Sequence, residues 1–312
     1  MYEGRGGKNM YDVVIIGAGT AGLSAAIYTS RAGKSTLLLE GYMPGGQIVT
    51  SKEIENYPGI KNISGADFAS ALYEQALSLG ATMKYDNATS IDSLPDRKIV
   101  RAGDKSYECK SVIIATGATK RPLGLEREKE LTGLGVSYCA ICDGAFFKGK
   151  EVAVVGGGNT AIEDAIFLSA YCSKVYVIHR KNTLRAESRL VEILEARENV
   201  SFVLESLVTK LHGDKVLEGI DVKHQSGEES FLPVNGLFVA VGQIPANDFC
   251  SHIVKLNQEG YIVADEDCKT NEPGIFVAGD CRTKMIRQLT TAPSDGTIAG
   301  LAACEYIDKL TY

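Results

Sequence analysis

Cys139-Ala140-Ile141-Cys142-Asp143-Gly144 sets two thiols three residues apart with an acid directly behind them. Two intervening residues allow a compact disulfide loop, or two ligands of a zinc tetrahedron. A tetrahedral site needs two further ligands at similar spacing. The other cysteines (109, 172, 250, 268, 281 and 304) form no second C-x-x-C, and the chain holds only four histidines. Zinc is therefore disfavoured, the six remaining cysteines read as small buried residues, and the pair reads as redox-active. Asp143 is placed to exchange a proton with a leaving thiolate. Its alternative role is to cap a helix start, and the two roles are compatible.

A dithiol that cycles needs a source of electrons, and two glycine loops point to one. Val13-Val14-Ile15-Ile16 is the short apolar run of a buried parallel strand. It leads into Gly17-Ala18-Gly19-Thr20-Ala21-Gly22, a helical stretch from Leu23 to Tyr28, a second apolar run from Thr36 to Leu39, and Glu40. Strand, G-x-G-x-x-G, helix, strand and acid in this order define a dinucleotide-binding βαβ unit. The glycines let backbone approach a pyrophosphate at a helix N-terminus, and the acid accepts hydrogen bonds from a ribose. The pattern recurs in Val152 to Val155, Gly156-Gly157-Gly158-Asn159-Thr160-Ala161, a helix from Ile162 to Ala170, and Val175 to Ile178. Glu40 stands eighteen residues after Gly22, and His179 stands eighteen after Ala161. Arg180, Lys181 and Arg185 follow His179. An acid suits a free ribose 2′-hydroxyl, whereas cations suit a 2′-phosphate. The first site thus fits a resident flavin nucleotide, and the second a diffusing NADPH.

The remaining elements fit two domains, as a length of 312 residues suggests. Val112 to Gly117 and Leu237 to Gly242 are apolar strands closing on a glycine, each followed by a proline, Pro122 or Pro245. Near the C-terminus Ile275 to Ala278 ends at Gly279-Asp280, delivering an acid to a ligand hydroxyl, and a small-residue helix runs from about Asp295 to Leu310. The expected fold is α/β with two Rossmann-like dinucleotide-binding domains. The NADPH domain, carrying the C-x-x-C at 122–246, is inserted into an FAD domain split between 1–121 and 247–312. Glycine is enriched at 33 residues, but the absence of a Gly-X-Y period excludes collagen, and a hydrophobic content of 45% excludes a disordered chain. A net charge of −6 argues against a nucleic-acid or anionic-membrane surface. No run reaches the length of a membrane span, and the start of the chain carries no apolar signal core. Met1 to Asn9 precede the first strand and are expected to be mobile. The expected location is the cytoplasm, with reduced thiols outside the redox pair.

These landmarks resemble the low-molecular-weight thioredoxin reductases from Tyr11 to Leu310. The resemblance rests on the glycine loops, Gly45-Gly46-Gln47, Glu55-Asn56-Tyr57-Pro58-Gly59, Ala115-Thr116-Gly117, the C-x-x-C-D-G, His179 to Ala186, Gly279-Asp280 and Arg287-Gln288. It implies a homodimer that binds FAD noncovalently, uses NADPH and reduces a thioredoxin-like protein. FAD contacts are implied at Glu40, Gly41, Gly45, Gly46, Gln47, Ile48, Asn56, Asp280, Arg287, Gln288 and Leu289. NADPH contacts are implied at Asn159, Thr160, His179, Arg180, Lys181 and Arg185. It also implies that Cys142 faces the flavin while Cys139 attacks thioredoxin, and that the inserted domain rotates in each turnover. One departure is Arg180-Lys181, where two arginines are more usual; lysine lacks the planar fork, which weakens NADPH preference.

Overall fold

The computed structural model describes residues 10–51 and 53–310; Met1 to Asn9 lie outside the described residues. Two compact units make up the chain: Met1–Thr119 with Ile244–Tyr312, and Lys120–Gln243.

In the first unit β1 (Tyr11–Ile16), α1 (Thr20–Arg31) and β2 (Thr36–Leu39) form the opening βαβ motif. Then come α2 (Gly65–Ser78), β3 (Thr82–Lys84), β4 (Ser90–Ser93), β5 (Lys98–Ala102) and the long β6 (Lys105–Ile114). The Val13–Ile16 run of β1 can be apolar throughout because both of its faces are covered. Val13 and Ile15 join a cluster with Leu23, Ala26 and Leu38, while Val14 and Ile16 join another with Leu37, Leu39 and Val112. The sheet runs β3-β2-β1-β6-β5-β4. β5 pairs antiparallel with the first half of β6, and β17 (Ile275–Val277) pairs parallel with its second half. The C-terminal segment therefore completes the first sheet.

The second unit begins within β7 (Ala118–Lys120) and contains α3 (Glu128–Leu131), β8 (Val136–Ser137) and α4 (Ala140–Asp143). Next are β9 (Glu151–Val155), α5 (Asn159–Ser169), β10 (Lys174–Ile178), α6 (Ser188–Glu195) and β11 (Val200–Val203). A meander of β12 (Ser206–His212), β13 (Gly219–His224) and β14 (Glu229–Leu232) precedes β15 (Gly236–Val239). The parallel sheet runs β11-β10-β9-β15-β8. Val152 and Val154 of β9 pack with Ile162, Ala165 and Leu168 of α5, whereas Ala153 and Val155 pack with Val208, Ile220 and Val222 of the meander. β16 (Gln243–Pro245) pairs with β7, so the two segments that connect the units form a short ribbon.

The last helix, α7 (Thr291–Leu310), begins four residues before the expected Asp295. Pro293 sits in its first turn, where the missing N–H has no intrahelical partner to lose. At Gly296 an added Cβ would collide with the Ala21 carbonyl, so glycine is what lets α7 lie directly on α1.

Candidate functional site

In the first unit the glycine loop is shaped by close backbone packing. Gly17 has φ +102°, and a Cβ at Gly22 would strike the Gly17 carbonyl oxygen. Gly19 is the N-cap of α1 and supplies no capping side chain, which leaves the first-turn amides of Thr20, Ala21 and Gly22 uncapped, an arrangement suited to an anion. Glu40 Oε2 accepts the Ala18 N–H at 2.8 Å and Oε1 accepts the Tyr42 N–H at 3.0 Å. The acid thus orients the loop, and each oxygen retains a lone pair for a ligand hydroxyl. Gly45 N–H donates to Ala18 O at 2.7 Å and bridges to Gly19, which brings Gly46, Gln47 and Ile48 alongside. The Gln47 amide donates to Ala118 O, one residue beyond Gly117. Gly41 abuts Asn87.

The late landmarks come to the same place. A Cβ on Gly279 would sit 2.9 Å from Ala21 Cβ, so the Gly279–Asp280 turn lies against the first turn of α1. The Arg287 guanidinium stacks 4.2 Å above the Tyr261 ring and bonds the Asp280 and Arg282 carbonyls. Gln288 N–H donates to Thr291 Oγ1 at the start of α7, with Leu289 beside it. Asn56 stands apart: it is exposed, and no hydrogen bond among the described residues joins it to this group.

Two features escaped the sequence reading. Asp295 is buried and accepts from Gly279 N–H at 3.0 Å, Arg282 Nε at 2.8 Å and Lys284 Nζ at 2.8 Å. Burial opposes its charge, but these two cations hold its pKa below the usual carboxylate range. Asn247, also buried, donates to Gly260 O and Cys281 O and accepts from Thr116 Oγ1. It thereby ties the ends of β6 and β17 together. Neither shows a signal in sequence, because the partners lie far apart along the chain.

The second unit repeats the loop with different contents. A Cβ on Gly156 would meet Ala161 Cβ at 2.6 Å, and Gly158 is an N-cap without a capping side chain. Asn159 and Glu187 bond reciprocally at 3.0 and 2.9 Å, while Thr160 is exposed on the first turn of α5. His179 is buried at 6% exposure, and its ring fills the space where a Gly157 side chain would go. Burial, together with Arg185, Arg180 and Lys181, pushes its pKa down. His179 therefore acts as a neutral packing group, and the positive charge belongs to Arg180, Lys181 and Arg185. Those three are exposed, with no ion-pair partner among the described residues. A glycine cradle at an uncapped helix start suits a dinucleotide diphosphate in each unit, with an acid at one ribose position and cations at the other.

Cys139 and Cys142 are joined as a disulfide, Cα to Cα 5.3 Å. Ala140 is fully buried, and Gly144 touches Phe167 and Leu168, so α4 is seated on α5. Cys142 is exposed and Cys139 half-buried. Asp143 is the last residue of α4 and the N-cap position of the 3-10 turn Gly144–Phe147, but its side chain makes no capping bond there; α4 itself is capped by Cys139, whose Sγ accepts the Cys142 N–H at 3.3 Å. Instead Asp143 Oδ2 accepts a hydrogen bond from Ser137 Oγ at 2.6 Å. The six other cysteines are buried and free. Burial raises all their pKa values, those of Cys172 and Cys281 to about 11 and those of Cys109, Cys250 and Cys268 to about 12. Only the pair is suited to thiolate chemistry.

The chain belongs to the pyridine nucleotide-disulphide oxidoreductase family, whose model matches residues 11–296. Within that family its curated relatives include the thioredoxin reductases of Listeria monocytogenes and Bacillus subtilis. They are 45% and 43% identical, each over 97% of this chain and 96% of the relative. Thioredoxin reductase from Streptococcus pyogenes is 39% identical, with a TM-score of 0.91 over 97% of this chain and 100% of that one. The Lactococcus lactis thioredoxin reductase, also 39% identical, gives 0.67 over 96% and 99%. Among the described residues no helix is long and apolar enough to cross a membrane.

Proposed function

We propose that this chain is an NADPH-dependent thioredoxin-disulfide reductase that carries FAD on its first unit and NADPH on its second. The observation that carries the reading is the Cys139–Cys142 disulfide beside Asp143, in the same unit as a glycine loop flanked by exposed cations. When bound, the nicotinamide and flavin supply the electron pair that opens this disulfide. One thiolate of the opened pair attacks the partner's disulfide, forming a mixed disulfide as the partner's S–S bond breaks. The second thiol then attacks the enzyme-side sulfur, re-forming Cys139–Cys142 and releasing the partner as a dithiol. Two electrons and two protons pass to the partner. Asp143 gives a proton to the leaving sulfur and accepts one from the second thiol. The Cys142 N–H aimed at Cys139 Sγ favours a thiolate there, which supports Cys139 as the attacking group and Cys142 as the one facing the flavin.

Rotation of the second unit about its two connections belongs to this reading. The C-x-x-C and the NADPH loop share one unit, and both need the same flavin. Two relatives equally identical to this chain but differing in TM-score, 0.91 against 0.67, support it. A cross-link locking the units should stop turnover, and full activity after cross-linking would contradict the rotation. A cytoplasmic homodimer also belongs to the reading, supported by the family resemblance and by six cysteines left as thiols. Cys139→Ser and Cys142→Ser test the core of the proposal. Each should still let NADPH bleach the flavin while thioredoxin reduction drops to background. Thioredoxin reduction surviving in either variant would overturn it.

A further inference from the structure

We infer that Ser137 is the positioning residue for Asp143, an inference that rests on the disulfide-reductase reading above. Ser137 ends β8, paired with Phe238 of β15, and is 3% exposed. Its Oγ–H has two acceptors within reach, Asp143 Oδ2 at 2.6 Å and the Cys139 carbonyl at 3.3 Å. A hydroxyl has one hydrogen to give, and the carboxylate takes it at the length of a charge-assisted bond. The same Oγ accepts the Cys139 N–H at 3.1 Å, and the Asp143 N–H donates to Cys139 O at 3.1 Å. Both backbone polar groups of Cys139 are therefore tied to Asp143, one directly and one through Ser137.

This closed ring does two things. It occupies Oδ2 of Asp143, leaving Oδ1 to exchange a proton with a sulfur. It also keeps the carboxyl in register with Cys139 when the disulfide opens and no longer restrains the turn. Ser137 itself touches no reacting atom; it acts through Asp143.

The test is Ser137→Ala in the FAD-loaded protein. Proton transfer by a misplaced acid loses much of its contribution, so thioredoxin turnover should fall about tenfold or more. The rate at which NADPH reduces the flavin without oxygen, and the KM for thioredoxin, should not change. Ser137→Thr keeps the hydroxyl and should recover most of the rate. The variant carrying both Ser137→Ala and Asp143→Asn should be no slower than Asp143→Asn alone, because the two residues act as one unit. A general loss of packing would slow the flavin step as well and would add to the Asp143→Asn defect. Turnover within about twofold of wild type in Ser137→Ala, or losses that multiply in the double variant, would overturn the inference. Wild-type protein that fails to reduce thioredoxin at all would instead refute the underlying reading.

Discussion

The two glycine loops occupy equivalent places in their units, yet their surroundings differ in kind. In the first, the strand after the helix ends in Glu40, whose carboxylate bonds the loop amide of Ala18. In the second, the corresponding residue is His179, whose ring is wedged beneath Gly157 and whose proton affinity is lowered. One loop is held by a charge-assisted hydrogen bond, the other by packing of a neutral ring. The first can therefore present an acid to a ribose. The second uses its buried residue as a floor and leaves charge recognition to exposed side chains. Glycine spacing alone gives both loops the dinucleotide pattern; what differs is an acid at the end of the second strand in one and exposed cations just beyond it in the other.

The third small residue of each loop offers the largest test of this contrast. Gly22→Ala places a methyl against the Gly17 carbonyl with no room to shift. It should produce protein that cannot retain FAD, seen as loss of the yellow absorbance on purification. Ala161→Gly in the second loop removes only a methyl at a helix start, and should cost about 1 kcal/mol of stability by thermal melting. Equal effects at the two positions would break the comparison. Next in size is removal of charge. On the proposed reading, Arg180→Ala and Arg185→Ala should each delete a charge-assisted contact to a 2′-phosphate, worth about 1.5–3 kcal/mol. Each should raise the KM for NADPH by about ten- to a hundredfold and leave the KM for NADH nearly unchanged. The smallest effect is Lys181→Arg, which adds a planar fork and should sharpen the preference for NADPH over NADH several-fold.

Much of this architecture was legible in the chain because its signals are local. Val13 to Ile16 and Val152 to Val155 announce strands buried on both faces, and the glycine spacing that follows each places the loop and the helix behind it. The C-x-x-C is equally local. What was not legible depends on partners distant in sequence. Asp295 shows its value only once Gly279, Arg282 and Lys284 converge on it, and Asn247 only once Thr116 and Cys281 do. His179 stands where the spacing puts Glu40 in the first loop, but its burial against Gly157 depends on packing that spacing does not reveal. Asp143 stands at the N-cap position of the turn Gly144–Phe147 without a capping bond, and the helix before it is capped by the Cys139 sulfur, a weak acceptor that no sequence rule would have chosen.

On the proposed reading, electrons enter from NADPH at one loop, reach a flavin held by the other, and leave through Cys139 and Cys142. Titration of the yellow protein with NADPH in the absence of oxygen, followed by oxidised thioredoxin, tests it most directly. The flavin absorbance should bleach with NADPH and return as thioredoxin is reduced, and with Cys139→Ser it should stay bleached. Failure of NADPH to bleach the wild-type flavin, or a bleached flavin that thioredoxin leaves unchanged, would contradict the account.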